Sequence, residues 1–423
     1  MACLLSATGY PAPTSGSLIA SSSQQELTDA IDDLLHRRLI RRCIHAIAAN
    51  QAPARAASRR KNEPGLNESE SSACEPALAP VLVAAIGNGY PAALATARVQ
   101  DSLMTAKTVF MFSGQGSQYF QMGKQLFETS EVFRHWMVRL DKLAQEMTGM
   151  PVIDAVYASP RTDSFDRTLK THPAIFILEY SLAQCLIGDG IEPDLVLGAS
   201  LGSFAAAAVA GHLDVEDALA AVVQQAIALE DTCQRGGMIA VLAGRELFEQ
   251  DWLRDHAELA ADNFANHFAL AAPQARLDEI EEQLRARGLA HQRLAVSFAF
   301  HSRWIDPAQA SFEAFMHSVP RGRGHLPLVC CEQAAVLIDL PDDFFWRAVH
   351  RPIRLRDTIA QLESQGPYRY IDVGPSGTMA TFAKYALPTG TASTVHPALT
   401  PYGQDLKNMA ALRAAFTGSA VST

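Results

Sequence analysis

The chain lacks a long apolar run, and nothing in it approaches the about 18 uninterrupted residues of a membrane span. Met1 to Ser23 lacks the basic and then continuously apolar order of a signal peptide. Metal-ligand spacings are missing too, with no C-x-x-C and no H-E-x-x-H. Cysteine is sparse: the seven are odd in number and scattered, with Cys330 and Cys331 adjacent, which argues against a disulfide framework and for reduced, buried thiols. A basic excess is also absent. The net charge of −10 and pI near 5.7 speak against nucleic acid as a partner, because phosphate neutralisation needs a basic face. A cytoplasmic protein with no membrane partner is expected. What remains is ample: 423 residues, 48% of them apolar, suffice for a large core.

The first hundred residues differ from the rest. Ser23-Gln24-Gln25-Glu26 has the form of a capping box, and Leu27, Ile31, Leu34 and Leu35 follow at helical spacing, which predicts a helix over about 24–48. Residues 51–76 turn to Ala, Arg, Ser, Asn, Glu and Pro without periodicity and read as a linker. Residues 1–105 are therefore an N-terminal extension, helical and then disordered. The helix could dock a partner, or simply pack on its own domain.

From residue 106 onward the pattern is α/β. Thr108 to Phe112 is an apolar strand entering Ser113-Gly114-Gln115-Gly116-Ser117-Gln118, a tight loop whose backbone N–H groups can face a ligand. It is not a phosphate loop, since the lysine and the spacing are absent. Helical stretches around Phe127 to Met147 and from Ile175 to Leu186 follow, and then Leu195-Val196-Leu197 ends in Gly198-Ala199-Ser200-Leu201-Gly202. After that turn, Phe204 to Ala210 is alanine-rich and stops at Gly211. Strand, elbow and helix in this order expose a serine hydroxyl and place the Leu201 N–H at a helix N-terminus, ready to hold an oxyanion. The five-residue pattern alone also fits an ordinary strand-to-helix turn. Gln115 is placed to give a second N–H from across the sheet.

Phe112-Ser113-Gly114-Gln115-Gly116-Ser117-Gln118, Thr171-His172-Pro173-Ala174, Gly198-Ala199-Ser200-Leu201-Gly202, Ala299-Phe300-His301-Ser302 and Asp372-Val373-Gly374-Pro375 occur in one order. Together they resemble the malonyl-CoA:acyl-carrier-protein acyltransferase family over about residues 107–400. That resemblance implies an α/β-hydrolase-like core with a parallel sheet and an inserted ferredoxin-like subdomain at about 237–296, in one domain over 106–423. Met238 to Leu242 as a strand, Gln274 to Arg287 as an amphipathic helix and Leu294 to Phe298 as a second strand fit such an insertion.

The resemblance also implies roles. Ser200 becomes the nucleophile and His301 its base, oriented by a backbone carbonyl matched to Ala348 in Trp346-Arg347-Ala348-Val349-His350-Arg351-Pro352. Gln115 and Leu201 form the oxyanion hole, and Asn263 lines the site or is a turn residue. No resident cofactor is implied; phosphopantetheine arrives on the substrate, as a carrier-protein or CoA thioester. A monomer acting on acyl carrier protein domains of a polyketide synthase is expected.

Departures from the family pattern carry the specificity. The arginine that would hold a malonyl carboxylate is replaced by Gln225, and there is no arginine between Arg167 and Arg235. Ala199 stands for a common histidine and Ser203 for a common glutamate, while Phe300 keeps the unbranched-unit pattern. A small uncharged acyl group satisfies all of these, unless Arg303 or Arg347 swings in. The whole resembles the acyl hydrolase branch that serves trans-acyltransferase polyketide synthases. An acyltransferase loading acetyl or malonyl units is the alternative, and a non-catalytic carrier-protein scaffold a third reading.

Overall fold

The computed structural model describes residues 106–160 and 163–417. The helix expected at 24–48 and the linker at 51–76 lie outside the described residues.

Among the described residues, ten strands form two sheets. The larger has the order β10-β9-β1-β2-β7-β8, built from β1 (Lys107–Phe112), β2 (Leu195–Gly198), β7 (Leu328–Cys330), β8 (Ala335–Leu337), β9 (Tyr368–Asp372) and β10 (Thr394–Pro397). All its pairings are parallel except that of β8, an antiparallel edge strand. The central strands are apolar throughout because helices cover both faces; β2 is wholly buried, and β1 is buried beyond its first residue. Four of the helices matter for the site: α1 (Thr168–Gly188), α2 (Gly202–Val209), α3 (Val215–Thr232) and α4 (Gln274–Ala286).

The second sheet is inserted after α3. Its strands β3 (Gly236–Val241), β4 (Glu258–Phe264), β5 (His267–Pro273) and β6 (His291–Arg293) pair antiparallel in the order β4-β5-β3-β6. With α4 between β5 and β6 this is the ferredoxin-like arrangement, closed by its own core of Ile239, Phe268, Leu270, Leu277, Ile280 and Leu284.

One strand differs from expectation. Leu294 to Phe298 is irregular, and the last strand of the small sheet is the polar His291–Arg293. Val296 and Phe298 are buried, so their apolar character reports packing. The ladder is taken by an edge strand with partly exposed side chains, which shows no apolar pattern. The helix expected from Ile175 begins earlier, at Thr168, and carries Pro173 near its first turns.

The register of the large sheet aligns the functional loops. Phe112 pairs with Gly198, and Met111 pairs with Asp372. The loops after β1, β2 and β9 therefore leave the sheet together at its carboxyl end, where open α/β sheets place their sites.

Candidate active site

Ser200 sits at φ 55°, in the left-handed region that non-glycine residues avoid. The strain is held by its neighbours. A Cβ on Gly198 would meet the Ser203 backbone, and one on Gly202 would meet the Phe112 carbonyl, so strand and helix approach this closely only with glycine at both positions. Gly114 also lies close, though less tightly, since a Cβ there would stand 3.1 Å from that of Ser200.

His301 reaches the serine from the segment that returns from the small sheet. Its Nε2 lies 2.9 Å from Ser200 Oγ, and its Nδ1 lies 2.7 Å from a backbone carbonyl. That carbonyl belongs to Arg351, which corrects the expectation of Ala348. Ala348 is inside the helix Phe344–His350, whose carbonyls run along its axis. Arg351 has left the helix with φ −84° and ψ 153°, the extended geometry favoured before Pro352, and it turns its oxygen sideways. The Arg351 carbonyl requires a proton on Nδ1, which leaves Nε2 as the acceptor facing the serine hydroxyl. Burial lowers the His301 pKa from 6.5 to about 4, although the Arg351 bond acts in the opposite direction. The ring is neutral at pH 7 and can take a proton.

Neither the Gln115 nor the Leu201 amide takes part in the backbone hydrogen bonds of its turn, and both residues line the cavity beside Ser200. The loop that carries Gln115 is anchored at several points. Gln118 donates to the Phe165 and Ala295 carbonyls at 3.0 and 2.9 Å and accepts from Gly116 N–H at 2.7 Å. Below it, fully buried Glu179 accepts from both the N–H and the hydroxyl of Ser113, each at 2.7 Å. Burial holds the Glu179 pKa well above the ordinary carboxylate value, and nearby Asp372 raises it further. Asp372 itself is raised to about 7 by burial, against the bonds it accepts from Ala380 and Gly374. Sequence reasoning passed over Glu179 although it is the one carboxylate in a mostly apolar helix.

A cavity of about 450 Å³ opens at Ser200. Ala199, Phe300, Asn263 and Gln225 all line it. Asn263 Nδ2 donates to His267 Nδ1 at 3.1 Å, at the end of β4 before the β4–β5 hairpin, so it is both a hairpin-flanking and a lining residue. Phe300 packs edge-on to Phe298 and 5.6 Å from the His172 ring. Among the described residues the lining includes no Arg, Lys, Asp or Glu. Arg303 is paired with Glu258 at 2.9 Å at the surface, and Arg347 donates to both oxygens of Glu332 at 2.8 Å, so neither reaches the cavity. Gln225 is 1% exposed, with both amide atoms unpartnered. The arrangement can generate a serine nucleophile, hold an oxyanion and enclose an uncharged group.

Comparison with known proteins agrees with this geometry. The family model for the acyl transferase domain matches residues 109–421, and the chain belongs to that family. It is 40% identical to the polyketide biosynthesis acyltransferase homolog PksD of Bacillus subtilis, over 72% of this chain and 95% of PksD. The homolog BaeD of Bacillus velezensis is 41% identical over 71% of this chain and 94% of its own length. Among solved structures, the acyltransferase domain from the second module of the salinomycin polyketide synthase superposes with a TM-score of 0.65 at 27% identity, covering 75% of this chain and 79% of that one. The chain is thus an acyltransferase of the polyketide synthase type. Among the described residues no helix is long and apolar enough to cross a membrane.

Proposed function

We propose that this enzyme is a serine acyl hydrolase that releases small, uncharged acyl groups from the phosphopantetheine thiol of acyl carrier proteins during polyketide biosynthesis. The observation that carries the reading is a cavity at Ser200 with no cation in its lining and with Gln225 in its wall. A malonyl carboxylate entering such a site is an unpaired buried charge, whereas a neutral acyl group meets no such penalty.

The first half-reaction acylates the enzyme. Ser200 Oγ attacks the thioester carbon as His301 Nε2 takes the hydroxyl proton, and the Gln115 and Leu201 amides receive the developing oxyanion. The C–S bond then breaks, and the departing sulfur takes the proton from His301. In the second half, water attacks the acyl ester carbon and His301 removes its proton. The C–O bond to Ser200 breaks, the serine recovers that proton, and a free acid leaves. Each turnover consumes one water and yields one acid and one carrier thiol. Ser200, His301 and water suffice for every step, with phosphopantetheine entering only as part of the substrate. A liquid water occupies about 30 Å³, so a cavity of about 450 Å³ leaves room for it beside a short acyl chain.

Purified enzyme offered acetyl and malonyl carrier protein in ¹⁸O-water tests the proposal by mass spectrometry. Acetate carrying one ¹⁸O, with malonyl carrier protein persisting and no turnover by Ser200→Ala, is the expected result. Accumulation of malonyl-Ser200 that passes to a carrier thiol would establish the loading acyltransferase instead.

A further inference from the structure

Two side chains in the cavity wall keep hydrogen-bonding capacity that the protein leaves unused. Gln225 has neither amide atom bonded, and His172, also 1% exposed, has an unpartnered Nδ1. They project from α1 and α3, helices that pack against each other.

The neighbours of His172 settle which of its nitrogens carries the proton. Gln115 Nε2 donates to Thr171 Oγ1 at 2.8 Å and approaches the Asp166 carbonyl at 3.4 Å, which turns Gln115 Oε1 toward His172. Nε2 of His172, 3.1 Å from that oxygen, must donate to it. Burial keeps the ring neutral, with its pKa lowered to about 3. Nδ1 is therefore a bare acceptor, and a ligand must bring the donor.

Few acyl substituents supply one. A carboxylate or a keto oxygen has only lone pairs to offer, and a methyl group leaves all three buried polar atoms without a partner. An ammonium group finds no carboxylate in the lining. A hydroxyl can donate to His172 Nδ1 or Gln225 Oε1 and can accept from Gln225 Nε2. Met238, Ala240, Ala261, Ala269 and Val296 leave the rest of the wall apolar, as a short carbon chain requires.

We infer that the acyl groups this cavity is built to accept carry a neutral hydroxyl, recognised by His172 Nδ1 and the Gln225 amide. The inference rests on the acyl-serine reading above and narrows its substrate class from uncharged acyl to hydroxyacyl. It also explains why the clamp position holds an amide: an aliphatic residue would suffice for a plain alkyl chain.

The test offers butyryl pantetheine and its 2-, 3- and 4-hydroxy counterparts to the full-length enzyme and follows acylation of Ser200 by intact-protein mass spectrometry. Giving partners to one or two of these buried polar atoms is worth about tenfold to a hundredfold in rate, so the best hydroxybutyryl isomer should outpace butyryl by that factor. In Gln225→Leu the ratio should fall toward one. Should that variant not fold, the wild-type ratio decides alone. Equal rates in the wild type, or faster butyryl transfer, overturn the inference, while release of free butyrate would leave the hydrolase reading standing. Hydroxyacyl preference followed by transfer to a carrier thiol supports the inference and overturns hydrolysis. No acylation by any uncharged thioester overturns both.

Discussion

Replacing Gln225 with arginine inserts a cation where a malonyl carboxylate would otherwise go unpaired. Gln225 is buried with no bond to break, and it lines a cavity of about 450 Å³ that can take the larger side chain. Breaking a buried charge pair costs about 3–5 kcal/mol, so supplying the missing partner should recover a comparable amount for malonyl. At about 1.4 kcal/mol per tenfold, the malonyl-to-acetyl ratio of Ser200 acylation should rise by about two to three and a half decades. The same guanidinium is uncompensated in the free enzyme, so the variant should melt below the wild type and recover when malonyl-pantetheine is added. Intact-protein mass spectrometry after exposure to both pantetheine thioesters reads the ratio, and thermal unfolding reads the stability. A folded Gln225→Arg enzyme with an unchanged ratio would refute the idea that this position governs acyl charge.

Other outcomes follow from the same geometry. Gly202→Ala drives a Cβ into the Phe112 carbonyl, and an overpacking cost of about 1–3 kcal/mol or more should appear as a lower urea midpoint together with lost activity. Glu179→Gln should retain most activity, because a neutral amide oxygen can still accept from Ser113. Glu179→Leu strands the Ser113 N–H, while the Ser113 hydroxyl keeps Ser117 Oγ at 2.9 Å, and should cost about 1–3 kcal/mol in chemical denaturation. His301 has its folded pKa lowered from 6.5 to about 4 and so adds no pH-dependent penalty above pH 6.5. As the pH falls through that window the unfolded chain binds a proton that the folded enzyme refuses. The stability of the wild type relative to His301→Ala should therefore drop by about 1.4 kcal/mol per pH unit. Denaturation curves of both proteins from pH 7 to 4.5 check the slope.

The parts of the site that were legible in the sequence are those where local chain chemistry and function coincide. Apolar runs ending in glycine-flanked turns mark β1 and β2, and the Ser200 elbow follows from them because only glycine permits so close an approach of strand and helix. His301 was legible only through its motif. Nothing in the spacing of residues 200 and 301 reports the 2.9 Å between them. The orienting carbonyl was misplaced by three residues because a backbone oxygen leaves no side-chain signature; the usable clue was Pro352, which favours an extended residue before it. Glu179 and His172 were hidden differently. Their meaning lies in partners, Ser113 and Gln115, brought together by packing of α1 under the β1 loop. The β6 edge strand went unseen because edge strands need no apolar alternation.

Hydrolysis as the fate of the acyl-serine is tested most directly by partition in a single turnover. Enzyme acetylated at Ser200 is freed of donor and mixed with excess carrier protein bearing its phosphopantetheine thiol, and both products are counted by mass spectrometry. Acetate as the main product, with little acetyl carrier protein, is expected. Quantitative transfer of the acetyl group to the carrier thiol, with no acetate released, would contradict it.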